Sequence, residues 1–348
     1  MHISELEYDL PQQSIAQTPI EPRDAARMLT YLGGVVGHSV VSDLPSFLRR
    51  GDLLVVNDTR VLPARLHLAK HTGARAEVLL LERLDAQGVW RALVRPGRKL
   101  PPGTVLGREG TDLRIEIVEV APDGQRLVRV GTKESPELSI AAESALLLRF
   151  GEAPLPPYIS TPLADAGRYQ TVYADQPGSV AAPTAGLHFT PELLQQLSQM
   201  GVQRATVELV VGLDTFRPVS TETVEAHVIH TERYHVPQET WDLVVQTMAA
   251  GGRVVAVGTT SVRCLESAAA RGELSGRTDL FIHGDFPWSV VDILLTNFHM
   301  PRTTLLALLG SFVGPVWRDL YAIALESGYR FLSFGDCMLV QRRTQPTG

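Results

Sequence analysis

Five times in this chain a short, unbroken apolar run stops at a polar or small turn. Asp52-Leu-Leu-Val-Val56 leads into Asn57-Asp58-Thr59-Arg60, and Thr206–Val211 into Gly212-Leu213-Asp214-Thr215. Arg253–Val257 leads into Gly258-Thr259-Thr260-Ser261-Val262-Arg263, Asp292–Leu295 into Thr296-Asn297-Phe298-His299, and Tyr329–Phe334 into Gly335-Asp336. A strand apolar at consecutive positions is buried on both faces, which favours a sheet covered by helices. The expected architecture is therefore α/β, a mixed sheet with flanking helices. In such sheets ligands collect beyond the carboxyl ends of the strands. The five turns, with a sixth at Pro183–His188, are expected to meet in one crevice.

That sixth turn lies in Ser179-Val-Ala-Ala-Pro-Thr-Ala-Gly-Leu-His-Phe-Thr190, where small residues let a ligand approach the backbone. Thr190 is placed to cap a helix, Pro191 suits its first position and Gly201 its end. A plain strand-to-helix connection with a surface histidine fits the same residues. Further helices are expected from apolar stripes at Ala25, Met28, Leu29 and Leu32; at Trp241, Val244, Val245 and Met248; and at Trp317, Leu320, Tyr321 and Ala324. These stripes are read as core-facing and carry no chemistry.

Residues from about 63 to 151 differ. Alternating segments near Ala76–Leu84, Val89–Val94, Leu113–Val120 and Arg126–Val130 are separated by Pro96-Gly97, Pro101-Pro102-Gly103 and Asp123-Gly124, with no helical spacing. The expectation is a small antiparallel β-barrel inserted into the α/β domain, with residues 1–62 and 152–348 forming the catalytic domain and 63–151 the insertion. The stiff Pro154-Leu-Pro-Pro-Tyr158 marks the return. From Arg60 to Lys99 there are nine Lys or Arg and three acids, a net of +6 in a chain whose overall charge is −6. A basic face on an acidic protein suits a specific polyanion, and an Arg-rich solvated β surface accounts for it equally well.

Other bulk properties mainly exclude. No apolar run is long enough to span a bilayer, and the N-terminus lacks the basic and apolar regions of a secretion signal, so a cytoplasmic protein is expected. The two cysteines, Cys264 and Cys337, are too few for a four-cysteine iron–sulfur cluster or a zinc ribbon.

Several turns carry candidate chemistry. Arg60 is suited to clamp a carboxylate or phosphate, or to pair with Asp58. The start of the helix after Gly258 offers backbone N–H groups to an anion, although neither a P-loop nor a dinucleotide fingerprint is present. His227, His230 and Glu232 invite a metal reading, but the spacing matches no zinc-protease motif, and proton transfer or substrate hydrogen bonding is preferred. Six of ten histidines lie between 188 and 299, with His299 in the same type of turn as His188. No Gly-x-Ser-x-Gly elbow appears.

Taken together these residues resemble the S-adenosylmethionine:tRNA ribosyltransferase-isomerases of queuosine biosynthesis. The resemblance runs through Tyr8-Asp-Leu-Pro11, Gly51–Arg65, Pro154–Ile159, Tyr173, Gly178–Thr190, Thr215-Phe-Arg217-Pro-Val219, His230 with Glu232, Val257–Arg263, Thr296–His299 and Tyr329-Arg-Phe331 with Gly335-Asp336. Two stretches depart from it. Val210 and Asp214 stand where the family usually has a histidine and a glycine, and His283–Trp288 replaces the usual Pro-Gly-Tyr-x-Phe.

The resemblance implies transfer of the ribosyl part of S-adenosylmethionine to a 7-aminomethyl-7-deazaguanine in the anticodon of a tRNA with a guanine-first anticodon. The ribosyl part is rearranged to an epoxycyclopentanediol as adenine and methionine leave. S-adenosylmethionine is then a co-substrate, with no cofactor and no metal. Proton transfers are expected from among Asp58, His188, His230 and His299. Arg60 and Arg263 would position the methionine carboxylate or an RNA phosphate. Thr184, Thr259, Thr260 and Asn297 would hydrogen-bond ribose or base edges, with Arg217, Glu232 and Asp336 also on the substrate side. Arg65, Lys70, Arg91 and Arg95 would contact tRNA backbone, and a monomer is expected. Two rivals remain: a non-catalytic RNA-binding protein, and an S-adenosylmethionine-dependent RNA methyltransferase, whose usual glycine-rich loop after the first strand is missing.

Overall fold

In the computed structural model, residues 1–85, 88–210, 219, 221–229 and 231–344 are described. They form two compact units. One comprises residues 1–59, 156–176 and 182–348, and the other residues 60–155 and 177–181. The sequence-based boundaries lay at 62/63 and 151/152.

The strands, in chain order, begin with β1 (Arg27–Leu32), β2 (Val35–Val40), β3 (Leu53–Asn57) and β4 (Thr59–Val61). Next come β5 (Arg65–Ala69), β6 (Arg75–Arg83), β7 (Val89–Arg95), β8 (Val105–Gly107), β9 (Leu113–Val120) and β10 (Arg126–Thr132), followed by helix α1 (Ile140–Phe150) and β11 (Gln176–Ser179). Then follow α2 (Pro191–Gln199), β12 (Gln203–Leu209), β13 (Glu232–His235), α3 (Gln238–Ala249), β14 (Val254–Val257) and α4 (Gly258–Arg271). The chain closes with β15 (Ser275–Thr278), β16 (Ile293–Asn297), α5 (Thr304–Val313), α6 (Trp317–Glu326) and β17 (Cys337–Gln341).

The first unit is built on a nine-stranded sheet in the order β15-β13-β12-β3-β14-β16-β17-β1-β2. Its centre, β12-β3-β14-β16, is parallel, and β3, β14 and β16 are buried at every position. That is the two-sided burial which the continuous apolar runs require. β17 runs antiparallel to β16, with Asn297 opposite Cys337. The chain entering β17 therefore reaches the same rim of the sheet as the carboxyl ends of β3, β14 and β16. Thr190 caps α2 by accepting from Leu193 N at 3.1 Å, and Pro191 opens that helix. α6 buries Trp317, Leu320, Tyr321 and Ala324 as the spacing predicts.

Four expectations are corrected. The stripe at Met28, Leu29 and Leu32 is strand β1, not a helix, because a short strand with both faces covered gives the same apolar spacing. In α3 the buried face is Thr240, Val244 and Thr247, while Val245 and Met248 are exposed. Tyr329–Phe334 is not a strand: Leu332 turns the chain with φ +69°, and the strand is β17 beyond it. The turn is held by Asp336, whose carboxylate accepts from Arg27 N at 2.9 Å and Arg330 N at 2.8 Å.

The second unit contains a closed barrel in the order β10-β7-β6-β5-β8-β9, antiparallel throughout. The fourth correction falls here, since α1 is a helix in a region read as lacking them. Ser139 caps α1 by accepting from Ala142 N, and buried Glu143 meets Arg83 Nε at 3.1 Å. β4 and β11 pair as a separate ribbon. Among the described residues no helix is long and apolar enough to cross a membrane.

Candidate active site

A cleft of about 50 Å³ opens at the rim of the first unit where β14 and β16 end. Three of the anticipated turns build it: Ala182–Ala185, Gly258–Thr260 and Thr296–Met300. Tyr158, Thr303, Leu305, Leu332 and Ser333 complete the wall. Among the described residues the lining includes no Asp, Glu, Lys or Arg.

The polar wall is locked by one amide. Asn297, the last residue of β16, directs Nδ2 at the carbonyls of Leu332 (3.2 Å) and Asp336 (3.4 Å), which fixes the amide's orientation. Thr184 Oγ1 then donates to Oδ1 at 3.1 Å. His188 Nε2 lies 3.3 Å from the same Nδ2, whose two hydrogens are shared among three acceptors. Burial, with Arg330, Arg23 and Arg168 adding to it, pushes His188 down to about 4. His188 is thus a neutral ring behind Asn297 and not part of the cleft lining.

His299 is the one imidazole among the described lining residues. Burial alone pushes it down to about 3, so it too is neutral near pH 7. Its Nε2 lies 3.1 Å from Thr296 Oγ1. The backbone on either side is pinned: His299 N donates to Tyr321 Oη at 2.8 Å, and Tyr8 Oη donates to His299 O. Across the cleft Tyr158 Oη and Ser333 Oγ share a hydrogen bond of 2.6 Å, and burial pushes the phenol up to about 12.

The other anticipated residues fall elsewhere. Asp58 is buried at the end of β3 but does not line the cleft. Burial raises its pKa, Glu208 and Asp175 raise it further, and a Thr206 hydrogen bond opposes them. Asp336 spends both carboxylate oxygens on backbone N–H groups. Arg263 is buried, ion-paired with Glu232, and donates Nε–H to Leu280 O at 3.2 Å; neither Arg263 nor Glu232 lines the cleft. Arg60 is exposed and belongs to the barrel unit. There Arg65 bonds Leu155 O, Lys70 bonds Lys99 O, Arg91 lies 3.8 Å from Asp123, and Arg95 is exposed. Arg217, His230 and Asp214 lie outside the described residues. Among the described residues no group of three His, Cys, Asp or Glu is placed to hold a metal.

Sequence reasoning missed Tyr158, Ser333, Thr303 and Leu332. Tyr158 sat in a segment read as a stiff return and as part of the family resemblance, with no site role given to it. The left-handed backbone of Leu332 has no sequence signal, since glycine is the residue that announces such a conformation.

A family model described as "Queuosine biosynthesis protein" matches residues 3–340. The chain belongs to this family. Its members include a Moorella thermoacetica protein named S-adenosylmethionine:tRNA ribosyltransferase-isomerase, 48% identical over 98% of this chain and all of that one. A Thermotoga maritima protein of the same name is 46% identical over 98% of this chain and all of its own. Among solved structures, an S-adenosylmethionine tRNA ribosyltransferase from Thermotoga maritima superposes with a TM-score of 0.55 and 37% identity, over 97% of this chain and all of that one. The expected mixed sheet with flanking helices and a small antiparallel barrel is what the chain forms, and the Thermotoga maritima structure is similar to it.

Proposed function

We propose that this chain transfers the ribosyl part of S-adenosylmethionine to the aminomethyl group of a 7-aminomethyl-7-deazaguanine in a tRNA anticodon and isomerises it to an epoxycyclopentanediol, releasing adenine and methionine. The observation that carries this reading is the full-length match, on both sides, to proteins named for that activity. The cleft adds a physical rationale. A sulfonium makes protons on the adjacent carbon removable, so the site needs a neutral base in a place that excludes water. His299, in the wall of the cleft, is the residue placed to accept that proton, and burial, which lowers its pKa, limits its strength as a base. Asn297 and Thr184 present fixed polar groups to the ribose and base edges, and His188 holds the Asn297 amide from behind. No cofactor beyond the co-substrate is required.

The nucleotide is taken from a single-stranded loop, where RNA bases are readable. Arg65, Lys70, Arg91 and Arg95 of the barrel unit bind tRNA backbone, and the substrate tRNAs have guanine-first anticodons. The protein works in the cytoplasm as a monomer. The deciding experiment is incubation with S-adenosylmethionine and precursor-bearing tRNA: adenine and methionine support the reading, whereas S-adenosylhomocysteine identifies a methyltransferase, and tRNA binding without turnover identifies a binding protein.

A further inference from the structure

The start of α4 lines the cleft at Gly258, Thr259 and Thr260. The first N–H groups of a helix have no partner within it. Here no side chain caps them, and the first turn holds no acid. Gly258 adopts φ +83°, a conformation that leaves a notch where other residues carry a side chain. The Ser261 hydroxyl turns away, donating to Val257 O at 2.8 Å.

An independent feature points the same way. Thr260 is only 8% exposed, yet its Oγ1 has no hydrogen-bond partner among the described residues. That oxygen lies 3.5 Å from the position a Cβ on Gly258 would occupy, so the hydroxyl faces the notch. A buried hydroxyl without a partner is costly unless something else completes it. No described lining residue is charged, and among these residues the partial positive charge at this helix start is the strongest attraction offered to an anion. Arg263, the residue the sequence suggests for that task, is committed to Glu232 and Leu280.

We infer that the Gly258–Thr260 turn seats the carboxylate of the methionine part of S-adenosylmethionine, with the α4 backbone N–H groups and Thr260 Oγ1 as donors. The inference rests on the proposed reaction and specifies how its co-substrate is oriented. An RNA phosphate shares this chemistry, and the experiment separates the two.

Adenine release is measured for wild type, Thr260→Val and Thr260→Ser, each with S-adenosylmethionine and with its decarboxylated analogue. The wild-type KM is expected to be at least about tenfold higher for the analogue. Thr260→Val should raise KM for S-adenosylmethionine about tenfold with kcat within about twofold, leave the analogue's KM unchanged, and be rescued by Thr260→Ser. Equal KM values for both compounds on wild type, or an equal rise for both in Thr260→Val, overturns the assignment. A rise in KM for tRNA alone places a phosphate in the turn and also overturns it. If wild type releases no adenine, the reaction itself is wrong; calorimetric binding of the two compounds then still decides the carboxylate. Thr260→Val removes only an unpartnered hydroxyl, so its Tm should stay level or rise. If the variant fails to fold, the wild-type comparison of the two compounds decides.

Discussion

The ends of β3 and β14 look alike in sequence and differ in the folded molecule. Both are apolar strands of the parallel core that stop at small polar residues on the same rim. At the β3 end the Asn57 amide and the Asp58 carbonyl find partners within the protein, while Asp58 Oδ1 and Thr59 Oγ1, like Thr260 Oγ1, are buried with none among the described residues. Asn57 donates to Leu209 O and accepts from Thr59 N, and the Asp58 carbonyl takes the N–H groups of Asp175 and Gln176. At the β14 end the helix N–H groups and Thr260 are left for something else. A strand's carboxyl end marks where a site is allowed. What sets the β14 end apart is that its unpartnered hydroxyl stands in the cleft lining beside an uncapped helix start.

The comparison is broken most directly at the cleft. His299→Ala should lower the rate of adenine release by at least about 100-fold, as expected for loss of a general base, with the fold intact by circular dichroism. Asn297→Ala should slow turnover by about tenfold or more. It should also destabilise by about 1–3 kcal/mol in denaturant titration, because His188 Nε2 and the Leu332 carbonyl lose a donor.

pH provides a gentler probe. His188 and His299 have folded-state pKa values lowered from 6.5 to about 4 and about 3 by burial. The unfolded chain therefore binds more protons in acid, and the stability from these rings is complete above pH 6.5 and is lost as pH falls toward 4 and 3. Urea midpoints measured from pH 7 to 4 should fall accordingly, and substituting His188 by Gln should flatten that fall.

Reversing Arg91 and Arg95 to Glu should weaken tRNA binding several-fold and reduce its salt dependence by about one to two units of log–log slope, leaving KM for S-adenosylmethionine in place. The smallest effect sharpens the comparison from the other side. Asp58→Asn replaces a buried carboxyl whose pKa burial raises by a neutral isostere, so turnover should stay within about threefold and Tm should hold. A large loss of activity would return the β3 end to the chemistry.

How much of this was legible in the sequence depended on whether a signal was local. Thr190-Pro191 announced α2 because capping and ring constraints act within a few residues. The parallel core was readable because two-sided burial leaves consecutive apolar residues. β1 was misread, since a short strand covered on both faces and a helix stripe cannot be told apart over six residues. The Tyr329–Asp336 turn was misread because the carboxylate holding it also bonds Arg27, over 300 residues away. In the site, Thr184, Thr259, Thr260, Asn297 and His299 were chosen for standing at strand ends and do line the cleft. Tyr158 and Ser333 entered it through loops with no such mark.

The reversal of β17 has a consequence for how this cleft can change over time. A wall made only from segments leaving parallel strands is tied to the helices that return the chain across the sheet. Leu332 and Ser333 arrive on the approach to a strand instead, from a turn anchored by one carboxylate. Side-chain changes at Leu332 and Ser333 would reshape that side of the hollow without shifting a rung of the sheet ladder. Substrate fit can thus be retuned separately from the scaffold that supports it.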